Sequence, residues 1–203
     1  MFISFEGTEG VGKSTLIQRI YDTLLEKNNA VTLTREPGGT AIAERIRALL
    51  LEVHEEQMCS DTELLLMYAA RSQHLAQVIL PALNANQIVL CDRFTDASFA
   101  YQVMGRGLAS EKLQILNQSF VSRMPDLTLW LDAPVEIGMA RAKARSELDR
   151  FEQEKISFFN KVRSGYQYLY ETQPERVKKI DATQPPEDVL SQALAYIQKH
   201  ITV

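Results

Sequence analysis

The chain predicts an α/β fold, a five-stranded parallel sheet between two layers of helix, on three observations. Short apolar runs alternate with amphipathic helical stretches along the whole length. The first run leads directly into Gly7-Thr8-Glu9-Gly10-Val11-Gly12-Lys13-Ser14, a G-x-x-x-x-G-K-[ST] loop of the kind that joins a strand to a helix in such sheets. The polar clusters all fall just after predicted strands, at the edge where open parallel sheets bind ligands.

Phe2-Ile3-Ser4-Phe5-Glu6 reads as a short buried strand, and the amphipathic stretch from Lys13 opens a helix near 13–28. Ala30-Val31-Thr32-Leu33-Thr34 is the second strand, and Thr40 is placed to cap the helix over 40–53. Ser60-Asp61-Thr62-Glu63 has the form of a capping box opening one long helix over 61–84. Strands follow at 87–91, 127–132 and 177–180. Helices are expected near 97–104, 110–122, 135–145, 152–171 and 186–200, with Pro134 and Pro185-Pro186 at pre-helix or first-turn positions. No repeat or inter-domain linker interrupts the pattern. Residues 1–203 are expected to form one domain with a mobile lid near 141–154.

With 45% apolar and 24% charged residues, the chain can bury a full core. No apolar run approaches the ~20 residues of a membrane span, and the immediate start of the first strand leaves no room for a signal peptide. Cys59 and Cys91 are isolated thiols that suit a reducing cytoplasm. They give no disulfide or metal framework, and His54, His74 and His200 are too scattered to form one. The net charge of −4 argues against a nucleic-acid face. An anionic ligand must then be held by a few placed arginines.

The loop at 7–14 supplies backbone N–H groups, the Lys13 charge and a Ser14 hydroxyl that can ligate Mg²⁺, with Thr15 following. It implies a bound nucleoside triphosphate. Glu9 is anomalous there, because a carboxylate repels phosphate unless it points outward, toward a second substrate. After the second strand come Arg35-Glu36-Pro37-Gly38-Gly39-Thr40, a tight loop with a cation and an acid side by side. After the third come Asp92-Arg93-Phe94, where Asp92 can orient Mg²⁺ through water and Arg93 can clamp a phosphate. Asp132, ending the fourth strand, is a rival for the metal role. Arg71 follows Met67 and Tyr68 in an apolar helix, where a buried guanidinium needs an acceptor. Arg141 and Arg145 share a helical face in a charge-dense stretch. That stretch is either a solvated face or a mobile lid supplying cations.

Taken together, these segments resemble the bacterial thymidylate kinases over essentially the whole chain. The Arg35–Thr40 hexapeptide, Tyr68-Ala69-Ala70-Arg71, Asp92-Arg93-Phe94 with Tyr101-Gln102, and Glu147-Leu148-Asp149-Arg150-Phe151-Glu152 carry the resemblance. It implies a three-layer P-loop kinase fold with a short helical lid, and transfer of the γ-phosphoryl group of ATP to dTMP. Arg35 and Arg93 would hold the dTMP phosphate, with Glu36 beside them, and Glu9 would meet the 3′-hydroxyl. Arg71 and Ser98 would read the thymine edge with Gln102 nearby, and Tyr101 would lie against C2′. Met67 stands where many members carry the Phe that stacks on thymine. The resemblance also implies a cis Glu36–Pro37 peptide, a catalytic arginine from the lid (Arg145 first, with Arg141 toward ATP) and a homodimer. Catalysis would come from positioning and charge neutralisation, since the attacking phosphate is already ionised. The rivals are another nucleoside monophosphate or deoxynucleoside kinase and a nucleotide-dependent switch protein.

Overall fold

The computed structural model describes residues 1–144 and 149–201. Strands β1 (Phe2–Glu6), β2 (Val31–Arg35), β3 (Ile88–Asp92), β4 (Leu127–Asp132) and β5 (Val177–Asp181) are parallel and lie in the order β2-β3-β1-β4-β5. β1 and β4 are buried along their whole length, as apolar runs covered on both faces should be. The edge strands β2 and β5 carry Thr32, Thr34, Lys178 and Lys179 and are partly exposed.

Alternation along the strands divides the core. Ile3 and Phe5 of β1 pack with Leu90 and Leu129 against α1 (Lys13–Glu26) and α9 (Pro186–Ile201). Phe2, Val89 and Cys91 belong to another cluster, with Leu75 and Ile79. Trp130 packs with Phe159, Val162 and Tyr166 of α8 (Ile156–Thr172). The sheet therefore lies between two helical layers. Because chain order reverses around β1, the C-terminal ends of β1 and β3 open together. Register pairs Phe5 with Asp92, so the phosphate loop and Arg93 leave the sheet at one level.

The remaining helices are α2 (Ala41–Leu51), α3 (Ser60–His74), α4 (Leu80–Asn84), α5 (Thr95–Ser98), α6 (Ser110–Phe120) and α7 (Val135–Lys143). Thr40 caps α2, its hydroxyl accepting from Ala43 N at 3.1 Å. The single helix expected over 61–84 is α3 and α4 joined by a π-helical stretch, Leu75–Ile79. The helix expected near 97–104 is mostly π-helical, Phe99–Gly105, and it packs closely on α8. A Cβ at Gly165 would stand 2.9 Å from Ala100 Cα.

The capping box at Ser60 does not form. Cys59 is the N-cap, its Sγ 3.0 Å from Thr62 Oγ1, and Glu63 turns inward to Gln102, Arg106 and Arg150. Charge-assisted pairs in the interior outweigh a backbone cap worth about 1 kcal/mol. In the region expected to form a lid, α7 ends at Lys143. Residues 150–153 form turns rather than the start of a helix at 152, with Asp149 Oδ1 accepting from the N–H groups of Phe151 and Glu152 at 2.9 Å each. Among the described residues no helix is long and apolar enough to cross a membrane.

Candidate active site

After Glu6 the chain turns through Gly7, Gly10 and Gly12, all with positive φ, and enters α1 at Lys13. Gly12 is the N-cap and offers no side-chain acceptor, so the N–H groups of the first turn face outward, ready for an anion. Gly10 is required twice over. Its φ is +70°, and a Cβ there would lie 1.9 Å from the carbonyl oxygen of Gly138, where α7 closes on the loop. Lys13 Nζ donates to the carbonyls of Gly7 and Thr8 at 3.1 and 3.0 Å. Burial, with Arg93 adding repulsion, lowers its pKa to about 8.

Beside this loop lies a cleft of about 240 Å³, lined by Glu9 to Thr15 on one side and by Met67, Arg71, Arg93, Ser98, Tyr101 and Gln102 on the other. Glu9 does point away from the cradle. Tyr101 Oη donates to its carboxylate at 2.7 and 2.8 Å, and Arg93 Nη2 reaches the same group at 2.8 Å. Burial pushes the Tyr101 phenol well above its ordinary pKa, so it stays a donor. Arg93 has a φ of +69°, a conformation an L-residue adopts at some cost. Gly7 O and Tyr166 Oη hold its Nη1 at 2.9 and 3.2 Å, and its guanidinium faces the Tyr101 ring. Beneath it, Glu6 accepts from Phe94 N and Tyr166 Oη, and burial, aided by Asp96, raises its pKa to about 8.

Arg71 has the acceptor its position demands. Its Nε meets Glu36 Oε2 at 2.7 Å, with both side chains 3% exposed. Nη1 and Nη2 donate to Ser98 Oγ and Phe94 O at 3.1 Å each, and Tyr68 and Phe94 flank the plane. His74, fully buried, bridges Glu36 Oε1 and Thr34 Oγ1 at 3.0 and 2.6 Å. The Glu36–Pro37 peptide is cis.

Both Asp92 and Asp132 end strands that flank β1, so adjacency does not separate them as metal acids. Their partners do. Asp132 is bound by Arg163 at 2.6 and 2.9 Å and by Lys179 at 2.9 Å, and these cations overcome burial and lower its pKa. Among the described residues Asp92 Oδ1 is buried without a hydrogen-bond partner, beside the cleft that Ser14 also lines. One carboxylate, one hydroxyl and nucleotide phosphates suit a hydrated Mg²⁺ better than a metal held by protein alone.

The family model described as thymidylate kinase matches residues 5–193. The chain belongs to the thymidylate kinase family. Thymidylate kinases of Acinetobacter baumannii and Acinetobacter baylyi are 66% and 65% identical to it, covering 97% and 98% of this chain and 100% and 98% of theirs. That of Pseudomonas entomophila is 57% identical, covering 91% and 89%. The crystal structure of thymidylate kinase from Ehrlichia chaffeensis superposes with a TM-score of 0.79 at 32% identity, covering 97% and 98%.

Within this thymidylate kinase fold, most of the expected site residues line the one cleft. Three do not. Arg35 is exposed and paired with Glu44 at 3.0 Å, outside the lining. Arg141 lies exposed on α7, and Arg145 falls outside the described residues. Sequence reasoning missed Arg47, which lines the cleft and donates to Pro37 O at 2.9 Å. It also missed Asp149, Phe151 and Glu152 as parts of the wall. Arg47 offered one signal, a cation one turn after Ala43 on the inward face of α2. Its charge pattern was that of any surface helix.

Proposed function

We infer that this chain transfers the γ-phosphoryl group of ATP to dTMP, giving ADP and dTDP. The observation that carries the reading is the joining of two sites in one cleft. A phosphate cradle with Lys13 abuts an acceptor pocket with Arg93 and Arg47 for a second phosphate, Glu9 and Tyr101 for a sugar, and Arg71, Ser98 and Gln102 for a base edge. A nucleoside acceptor would need a base at its hydroxyl and no second phosphate clamp. A switch protein would need no acceptor pocket.

ATP lies with its phosphates on the 7–15 loop. Lys13 leaves the Gly7 and Thr8 carbonyls for phosphate oxygens, whose charge restores its full protonation. Ser14 and Asp92 would hold Mg²⁺, which supplies charge neutralisation on the phosphates when bound. Arg93, anchored on Gly7 O and Glu9, spans the two substrates and clamps the dTMP phosphate in line with the γ-phosphate. Arg47 adds a second cation, and Arg35 joins only by leaving Glu44. Arg145 and Arg141 complete the charge balance from the lid. The enzyme works in the cytoplasm as a homodimer. Supporting the dimer, Ile42 and Leu49 of α2, Leu65 of α3, and Ile115 and Phe120 of α6 are exposed apolar side chains on helices that pack against one another. The test is a coupled assay for ADP with every nucleoside monophosphate in turn. Turnover should require dTMP, and equal ADP release without any acceptor would defeat the reading.

A further inference from the structure

α3 carries a buried carboxylate that phosphoryl transfer does not use. The Glu63 side chain is 1% exposed, and it accepts from residues far away in sequence. Gln102 Nε2 donates to Oε1 at 2.9 Å. Arg106 forks onto both oxygens, through Nε at 3.2 Å and Nη2 at 3.1 Å, and Arg150 Nη1 reaches Oε2 at 2.7 Å. Each partner leads back to the cleft. Gln102 lines it directly. Arg106 and Arg150 lie against the ring of Phe151, which forms part of the wall and meets Tyr101 edge-on at 6.0 Å. Arg150 also ties its segment to α2, donating from N to Leu51 O and from Nε to Leu50 O.

A carboxylate can only accept hydrogen bonds, so the side of the Gln102 amide facing Glu63 is its NH₂ group. Gln102 Oε1 is thereby turned away, and among the described residues no donor meets it. It remains an acceptor for a ligand in the cleft, near the donors of Arg71 and Ser98. An acceptor beside donors matches the N3–H and O4 of a thymine ring. Cytosine presents the opposite polarity, with a bare N3 and an amine. An unrestrained amide could rotate and serve either base.

We propose that Glu63 is a positioning residue for base choice. It locks the Gln102 amide with its oxygen toward the pyrimidine and, through Arg106 and Arg150, holds Phe151 in the wall of the same cleft. The inference deepens the dTMP reading and rests on it.

The test compares kcat/KM for dTMP and dCMP in wild type, Glu63→Gln and Arg150→Leu, with hydrogen exchange followed over residues 149–154. Wild type must first prefer dTMP, and failure there defeats the dTMP reading before the variants are compared. In Glu63→Gln the new amide can donate to Gln102 Oε1 and release the lock. The dTMP/dCMP ratio should then fall by about tenfold or more, with faster exchange at 149–154. Arg150→Leu leaves the Gln102–Glu63 bond in place, so exchange should quicken while the ratio holds. Damage that lowers both substrates equally in Glu63→Gln, leaving the ratio intact, would overturn the proposal. So would a collapsed ratio in Arg150→Leu. Should Glu63→Gln not fold, NMR of the wild-type Gln102 side chain decides. Its NH₂ protons must be protected from solvent before and after dTMP binds, and solvent-rate exchange would overturn the proposal.

Discussion

Replacing Glu36 with Gln should destabilise the protein far more than removing any exposed charge of the same loop. Glu36 and Arg71 form an ion pair with both side chains 3% exposed, and Glu36 also takes the Nδ1 of buried His74. One position earlier, Arg35 pairs with Glu44 at 53% and 40% exposure. The two pairs have similar separations, 2.7 and 3.0 Å, so the difference between them is solvent. Removing one partner of a buried pair strands the other charge and costs about 3–5 kcal/mol. An exposed pair is worth roughly 0–1 kcal/mol. Gln still accepts from Arg71 Nε, and Ser98 and Phe94 O still hold the two Nη groups, which places Glu36→Gln near the lower end, about 3 kcal/mol. Urea unfolding of Glu36→Gln and Arg35→Ala at neutral pH reads both values. A loss below about 1 kcal/mol for Glu36→Gln would show that Arg71 does not depend on its acid, and the account of how the base pocket is held together would fail.

Lys13→Met should abolish turnover without unfolding the chain, since among the described residues the hydrogen bonds of the lysine go to two loop carbonyls; near-normal ADP production would remove the cradle assignment. Arg93→Ala and Arg47→Ala should weaken dTMP use by about 2–4 kcal/mol each, read as kcat/KM, and a main effect on ATP affinity would reverse the two sites. Tyr101→Ala should narrow the preference for dTMP over ribothymidine monophosphate, expected at roughly 10²-fold, by opening room at C2′. An unchanged ratio would assign that discrimination to another residue. Glu6 has a folded pKa of about 8 against an ordinary 4.5. The native state therefore holds a proton that the unfolded chain has lost, and stability declines as pH rises from about 4.5 to 8, by several kcal/mol. Glu6→Gln should flatten that part of the profile measured without nucleotide, and parallel profiles would refute the burial argument.

The strands were legible because four of the five carry short apolar or alternating runs bounded by turn residues. Every observed strand lies within one residue of its expected position. The phosphate loop was legible because backbone geometry demands those glycines. Less legible were features that depend on distant partners. Glu63 has the spacing of a capping residue, and only the approach of Gln102, Arg106 and Arg150 from 39 or more residues away turns it inward. The π-helical turns leave no periodic signature, since they answer to packing such as Gly165 against Ala100. Arg35 and Arg47 are both cations near one loop. Which of them faces the cleft depends on Glu44 drawing Arg35 aside.

The fate of the γ-phosphate decides whether cradle and acceptor pocket work together. ATP labelled at that position, incubated with the protein, Mg²⁺ and dTMP, should deliver its label to the β-position of dTDP, with ADP formed in equal amount and little free phosphate. Label recovered as inorganic phosphate at the same rate with or without dTMP would mean that the cleft holds no acceptor, and the joining of cradle and pocket would have been misread.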